Sequence, residues 1–115
     1  MSGNELPHQK QILIVDDDIS IRHMLGRVLA DEGYGVIAAA SGEAGLKLAE
    51  DGGIDLVLLD LKMPGIGGQE AFRLMRKARP DLPVIIISAY SRQQFVELGA
   101  ACALLQKPLD FPTAL

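Results

Sequence analysis

The chain has 115 residues, a formal net charge of −4 and 49% hydrophobic residues, which is enough for one hydrophobic core and too few for two. An acidic balance without a Lys/Arg cluster argues against nucleic-acid binding by this segment. No apolar run approaches the roughly 20 residues of a membrane helix, the start Met1-Ser2-Gly3-Asn4-Glu5 is not a signal peptide, and the lone Cys102 has no partner for an internal disulfide; a cytoplasmic domain with Cys102 as a packed thiol is expected.

Residues 1–10 are expected to be a flexible lead-in to one domain over 11–115. Gln11-Ile12-Leu13-Ile14-Val15 reads as a buried strand. Asp16-Asp17-Asp18 closes it, and Asp18 is placed to cap a helix in which Ile21, Met24, Leu25, Val28 and Leu29 recur at helical spacing. Gly33 is placed to end that helix, and 36–40 reads as a short second strand of small residues. Ser41 caps a second helix carrying Ala44, Leu46, Leu48 and Ala49, closed by Gly52-Gly53. The run 54–59 is apolar apart from Asp55, so both faces of this third strand should be covered, and Asp60 follows it.

The segment Lys62-Met63-Pro64-Gly65-Ile66-Gly67-Gly68 reads as a loop, because its proline and glycines prevent either regular structure from continuing. A third helix then holds Ala71, Phe72, Leu74, Met75 and Ala78 and stops at Pro80. Pro83 introduces a fourth strand over 84–87, closed by Ser88; 92–98 reads as a weaker helix, and 103–106 as a fifth strand, closed by Lys107-Pro108. Strands alternating with helices imply right-handed crossovers, a parallel sheet covered on both faces, and ligand binding at the carboxyl ends of the strands near a switch in strand order.

Those carboxyl ends carry acid, acid, hydroxyl and ammonium in turn. Several carboxylates at the rim of an apolar sheet cost free energy through repulsion and desolvation unless a cation or a reacting group compensates them. With oxygen ligands and no His or Cys beside them, magnesium or calcium is favoured over zinc. Taken singly, each residue has an ordinary reading. Asp18 is a helix cap, Asp60 could simply end a strand, Ser88 could be a turn residue and Lys107 a solvated lysine. His8 and His23 lack a partner at ligand spacing, and Met63 and Met75 fit packing better than ligation.

Together, Val15-Asp16-Asp17, Asp60 with Met63-Pro64-Gly65, Ser88-Ala89 and Lys107-Pro108 resemble the receiver domain of bacterial two-component response regulators, over nearly the whole chain. The resemblance implies a flavodoxin-like, doubly wound five-stranded parallel sheet of order 2-1-3-4-5, here with its final helix truncated or missing. It also implies that Asp60 accepts a phosphoryl group from a sensor histidine kinase or phosphotransfer protein. Asp16 and Asp17 would hold Mg2+ with Asp60 and the backbone carbonyl of Lys62, while Ser88, Ala89 and Lys107 would bind the phosphoryl oxygens. A cis Lys107–Pro108 bond and a switched surface around the fourth helix and fifth strand, bound by an effector protein or domain, are further implications. The chemistry is consistent with these roles: an aspartate is ordinarily ionised at neutral pH and needs no general base to attack phosphorus, so positioning and charge stabilisation carry the transfer.

The sequence departs from the family pattern in several places. Leu104 stands where the family usually carries Tyr or Phe, Gly99 lies one residue farther from Lys107 than is common, and Tyr90 occupies a position that in the family lies beside the phosphoryl group. Without the last helix, an apolar face beside the first helix is expected to be uncovered, so that the chain either self-associates through it, a homodimer included, or is a fragment of a longer protein whose later residues cover it. A competing reading is a magnesium-dependent phosphohydrolase working through an aspartyl-phosphate, but that class wants a second acid two residues after the nucleophile, where this chain has Lys62. A nucleotide or flavin binder of similar architecture would want a Gly-rich loop where Asp16-Asp17-Asp18 would repel phosphate.

Overall fold

A computed structural model describes residues 9–61, 63, 65, 67–88 and 103–106. Its elements are β1 (Gln11–Val15), α1 (Ile19–Asp31), β2 (Gly35–Ala39), α2 (Gly42–Glu50), β3 (Leu56–Asp60), α3 (Gly67–Ala78), β4 (Val84–Ser88) and β5 (Ala103–Gln106). All strand pairs are parallel in a sheet ordered β2-β1-β3-β4-β5, which is the order the sequence resemblance implies. The expected helix over 92–98, residues 1–8 and everything after 106 lie outside the described residues, as does the Lys107–Pro108 bond.

Helix ends follow the side chains placed at them. The Asp18 carboxylate accepts from the N–H groups of Ser20 at 2.8 Å and Ile21 at 3.4 Å, and Ser41 Oγ accepts from Ala44 N–H at 3.1 Å, so both expected caps are made. At the end of α1, Gly33 takes φ 97° while its N–H reaches Ala30 O at 3.0 Å and Tyr34 N–H reaches Leu29 O at 3.2 Å. This paired 5→2 and 6→1 bonding is a Schellman stop.

The core forms two layers, one on each side of the sheet. Ile12, Ile14, Leu58 and Ile87 pack with Leu25 and Leu29 of α1, while Leu13, Val15, Val57, Leu59, Val84 and Ile86 pack with Ala49 of α2 and Ala71, Phe72 and Met75 of α3. The third strand is thus covered on both faces, as its unbroken apolar run predicts. Met24 departs from the expected apolar stripe and is 37% exposed; at about 100° per residue it lies farthest around the helix from Leu29, at the margin of the stripe. Ala44 and Ala78 are likewise exposed. On the α1 face Leu58 and Ile87 are 5% and 0% exposed, so the expected bare face does not include them.

Several boundaries differ from the sequence reading by a residue or two, three of them for a clear local reason. The second strand begins at Gly35, one residue early, because Gly35 N–H bonds to Lys10 O at 2.9 Å and opens the ladder with β1. Ile54 and Asp55 precede β3 rather than belonging to it. Asp55 N–H donates to Gln11 O, and Gln11 N–H donates to the Asp55 carboxylate, both at 2.8 Å, which ties the entries of β1 and β3 together. Gly67 and Gly68, read as loop, open α3; Gly67 has φ 76°, which a glycine adopts at little cost.

Two glycines set how closely helices approach the sheet. A Cβ on Gly45 would lie 2.6 Å from Val15 Cγ2, and a Cβ on Gly68 would collide with the carbonyl of Asp60 and the Cα of Leu61. The first turn of α3 therefore rests directly on the main chain at the end of β3. Gly68→Ala is expected to lower stability by about 1–3 kcal/mol, the usual cost of overpacking, whereas Gly53→Ala, where a Cβ meets nothing within 4 Å, should leave it within about 1 kcal/mol. Urea midpoints of the two variants check this, and equal midpoints would contradict the close approach.

Candidate functional site

The register of the sheet assembles the site. Val15 pairs with Leu59, and Asp60 pairs with Ile87, so Asp16, one residue beyond β1, comes level with Asp60 at the carboxyl end of the neighbouring strand. This is also the switch point of strand order, since the chain goes from β1 outward to β2 and then back across to β3. Asp16, Asp17 and Asp60 each offer a carboxylate oxygen, and these oxygens lie within 4.8 Å of one another.

Burial makes that proximity costly. Asp16 is 0% and Asp60 2% exposed, while Asp17 faces solvent. Carboxylates about 5 Å apart repel by roughly 3 kcal/mol per pair at an effective dielectric near 20, so a divalent cation fits the donor set. All donors are hard oxygens, and the acid at the exposed edge leaves the cluster open to solvent.

Asp16 is fixed on three sides, twice through its backbone and once through its carboxylate. Its N–H continues the ladder to Ala39 O at 3.1 Å, its Oδ1 accepts from Asp18 N–H at 2.9 Å, and its carbonyl accepts from Arg22 Nη1 at 2.9 Å. Asp18 is the helix cap expected of it and does not join the carboxylate cluster. Beyond β3 the chain turns at Gly65 with φ 80°. A Cβ there would lie 2.9 Å from Glu43 Oε2, so the first turn of α2 leans on the loop that follows Asp60.

The remaining expected site residues are placed unequally. Ser88 closes β4 with its backbone paired to Gln106, one position beyond the partner of Asp60, which brings it to the same end of the sheet. Lys62, Ala89, Tyr90 and Lys107 lie outside the described residues. Sequence reasoning missed Arg22 and Gly68. A lone arginine inside a helix pattern carries no signal of its own, whereas the Gly67-Gly68 pair at a helix start was a readable hint of close backbone approach. Away from the pocket, Arg73 donates two hydrogen bonds to Glu70 at 2.9 and 2.6 Å. These bonds hold the Glu70 carboxyl below its usual range, but the pair is exposed and adds little to stability.

Among the described residues no helix is long and apolar enough to cross a membrane. The sequence matches the response regulator receiver domain family over residues 12–113. It is 40% identical over 105 residues to sporulation initiation phosphotransferase F of Bacillus subtilis, covering 88% of this chain and 84% of that protein. It is also 41% identical over 96 residues to the CAI-1 autoinducer sensor kinase/phosphatase CqsS of Vibrio cholerae, covering 79% of this chain but spanning only 14% of that protein. The fold superposes on the response regulator TrrA of Thermotoga maritima, solved in complex with Mg(2+)-BeF, with TM-score 0.83 and 39% identity over 91% of this chain and 92% of that one. A match over most of its length, with an acidic pocket of Asp16, Asp17 and Asp60 that suits Mg2+, establishes that the chain belongs to the response regulator receiver domain family, the phosphoacceptor domains of two-component signalling.

Proposed function

We propose that Asp60 is the phosphoacceptor, and that Asp16 and Asp17, with Asp60 and the backbone carbonyl of Lys62, hold Mg2+. The observation that carries this reading is the meeting of three carboxylates at the switch point, two of them buried. A carboxylate oxygen of Asp60 attacks the phosphorus of a phospho-histidine, an O–P bond forms as the P–N bond breaks, and the departing imidazole keeps the bond's electron pair and takes up a proton. The transfer spreads negative charge over three equatorial oxygens. Mg2+, when bound, neutralises part of that charge. The Lys107 ammonium takes a second share, and the Ser88 hydroxyl with the Ala89 N–H takes a third.

In this reading the donor is a sensor histidine kinase or a phosphotransfer protein of the cytoplasm, and residues 11–115 form the receiver domain after a lead-in over 1–10. The effector would be recruited by the surface around the fifth strand, where Leu104 replaces the aromatic ring usual in the family. Its output is carried by another domain or protein, or by a homodimer of this chain. The likeness to sporulation initiation phosphotransferase F over most of both chains supports a domain able to act on its own, and the likeness to a short part of CqsS supports one able to serve within a larger kinase.

Acetyl phosphate with Mg2+ should add one phosphoryl group to the chain by intact mass, and Asp60→Asn should abolish the addition; undiminished labelling of that variant would remove Asp60 from its role. A second expectation concerns the metal alone. Ligands that bind only the native state raise its stability, by about 2.7 kcal/mol at a hundredfold excess over Kd. The Tm of the unphosphorylated protein should therefore rise with millimolar Mg2+, and Asp17→Asn should lose most of the rise. Equal shifts in the two proteins would move the metal elsewhere.

A further inference from the structure

Arg22 lies in the first turns of α1, part-buried, with Nη1 donating to the backbone carbonyl of Asp16 at 2.9 Å. That oxygen is only a few bonds from the Asp16 carboxylate, which is 0% exposed. The guanidinium is therefore held close to the Asp16 carboxylate, within the Debye length of about 8 Å over which physiological salt screens charges poorly. Arginine side chains are cationic throughout the neutral range. The placement is over-determined. The Asp16 carbonyl is aimed by the bonds from its own N–H to Ala39 O and from Asp18 N–H to its Oδ1, and the helix carrying Arg22 is capped by the neighbouring Asp18.

We infer that Arg22 is a built-in counter-ion of the pocket: it offsets part of the repulsion among Asp16, Asp17 and Asp60 in the metal-free protein and, by the same charge, holds Mg2+ affinity down. The inference rests on the reading of those three carboxylates as the metal site. The alternative role for such a contact, a hydrogen bond that merely holds the loop in shape, has the opposite sign. Losing a positioning bond would loosen the site and weaken metal binding, whereas losing a fixed positive charge strengthens it, because the repulsion felt by a divalent ion disappears while the free ion in water is unaffected.

Mg2+ titrations of the full chain by calorimetry at low ionic strength separate the two, using wild type, Arg22→Gln, Arg22→Lys and Asp17→Asn. Arg22→Gln, which keeps an amide donor without the charge, should bind Mg2+ about threefold to tenfold more tightly than wild type and should melt below wild type in EDTA. Arg22→Lys, which keeps the charge, should stay within about twofold of wild type, and the advantage of Arg22→Gln should shrink as salt shortens the screening length. If Arg22→Gln is unfolded without metal, its Kd is read from the Mg2+ dependence of its folded fraction. Equal or weaker binding by Arg22→Gln overturns the inference. When Asp17→Asn weakens binding in the same series, only the role of Arg22 falls; an Asp17→Asn protein that binds Mg2+ like wild type overturns the metal-site reading and the role of Arg22 with it.

Discussion

Parallel pairing of β1 with β3 places the Asp16 and Asp60 carboxylates next to each other in a setting with almost no solvent, and the rest of the molecule is arranged around that repulsion. Neither carboxylate can be moved away without slipping a strand. A slip of one residue would turn Leu13, Val15, Val57 and Leu59 from the α2–α3 layer toward the α1 layer, along with every other side chain on the strand. The apolar runs of β1 and β3 therefore do two jobs: burial of Val and Leu fixes the register, and the register holds the carboxylates together. The hydrophobic layers, worth about 1.5–3 kcal/mol for each buried large side chain, stabilise a pocket that is unfavourable when considered alone.

The two ends of the sheet are treated differently. At the amino end, main-chain groups that strand pairing leaves over are satisfied by side chains. The Asp55 carboxylate accepts from Gln11 N–H, and Arg79 Nη1 donates to Ala49 O at 3.2 Å and Ile54 O at 2.9 Å. Arg76 Nη1 donates to Pro80 O and Leu82 O, each at 2.9 Å, with its guanidinium 5.6 Å from the Phe72 ring centroid. These charge-assisted bonds bind α2, α3 and the strand entries into one rigid base. At the carboxyl end the acids are gathered together, and rigidity comes from backbone contact, with Gly68 seating α3 on the main chain of Asp60 and Leu61. A site on such a base holds its geometry through the charge changes that phosphoryl transfer brings.

What was legible in the sequence is what local chemistry decides. Asp18, Ser41 and Gly33 could be assigned to helix ends because a capping oxygen or a left-handed residue does the same thing wherever it occurs. Apolar runs marked the strands and even which one is covered on both faces. Strand order could not be read from periodicity, which says how a strand is buried and not beside which neighbour; it came from the resemblance of the strand-end motifs to a family. Glycine was ambiguous for a different reason, since Gly45 and Gly68 are needed for what they leave out, and only the partner backbone or side chain reveals that. The arginines were illegible as well: Arg22, Arg76 and Arg79 look like surface cations in sequence, yet each reaches a main-chain carbonyl several residues or a whole element away.

The division of labour between strands also limits how a charge placed on Asp60 is felt. Asp60 belongs to the central strand of the sheet, flanked by β1, which leads into Asp16, and by β4, which ends in Ser88. On the proposed reading, a phosphoryl group added to the Asp60 carboxylate raises its charge toward about −2 and brings strong acceptor oxygens, so repulsion with Asp16 at the end of β1 grows. The backbone of Ser88 is in turn laddered to Gln106, the residue before Lys107 in the chain. The proposed phosphoryl ligand Lys107 thus follows a strand paired with the end of β4, and that strand carries Leu104 where the family usually has an aromatic ring. An aliphatic side chain has no ring face or hydroxyl to exchange between two partners, so on the proposed reading a swing of an aromatic ring at this position is not the means of response.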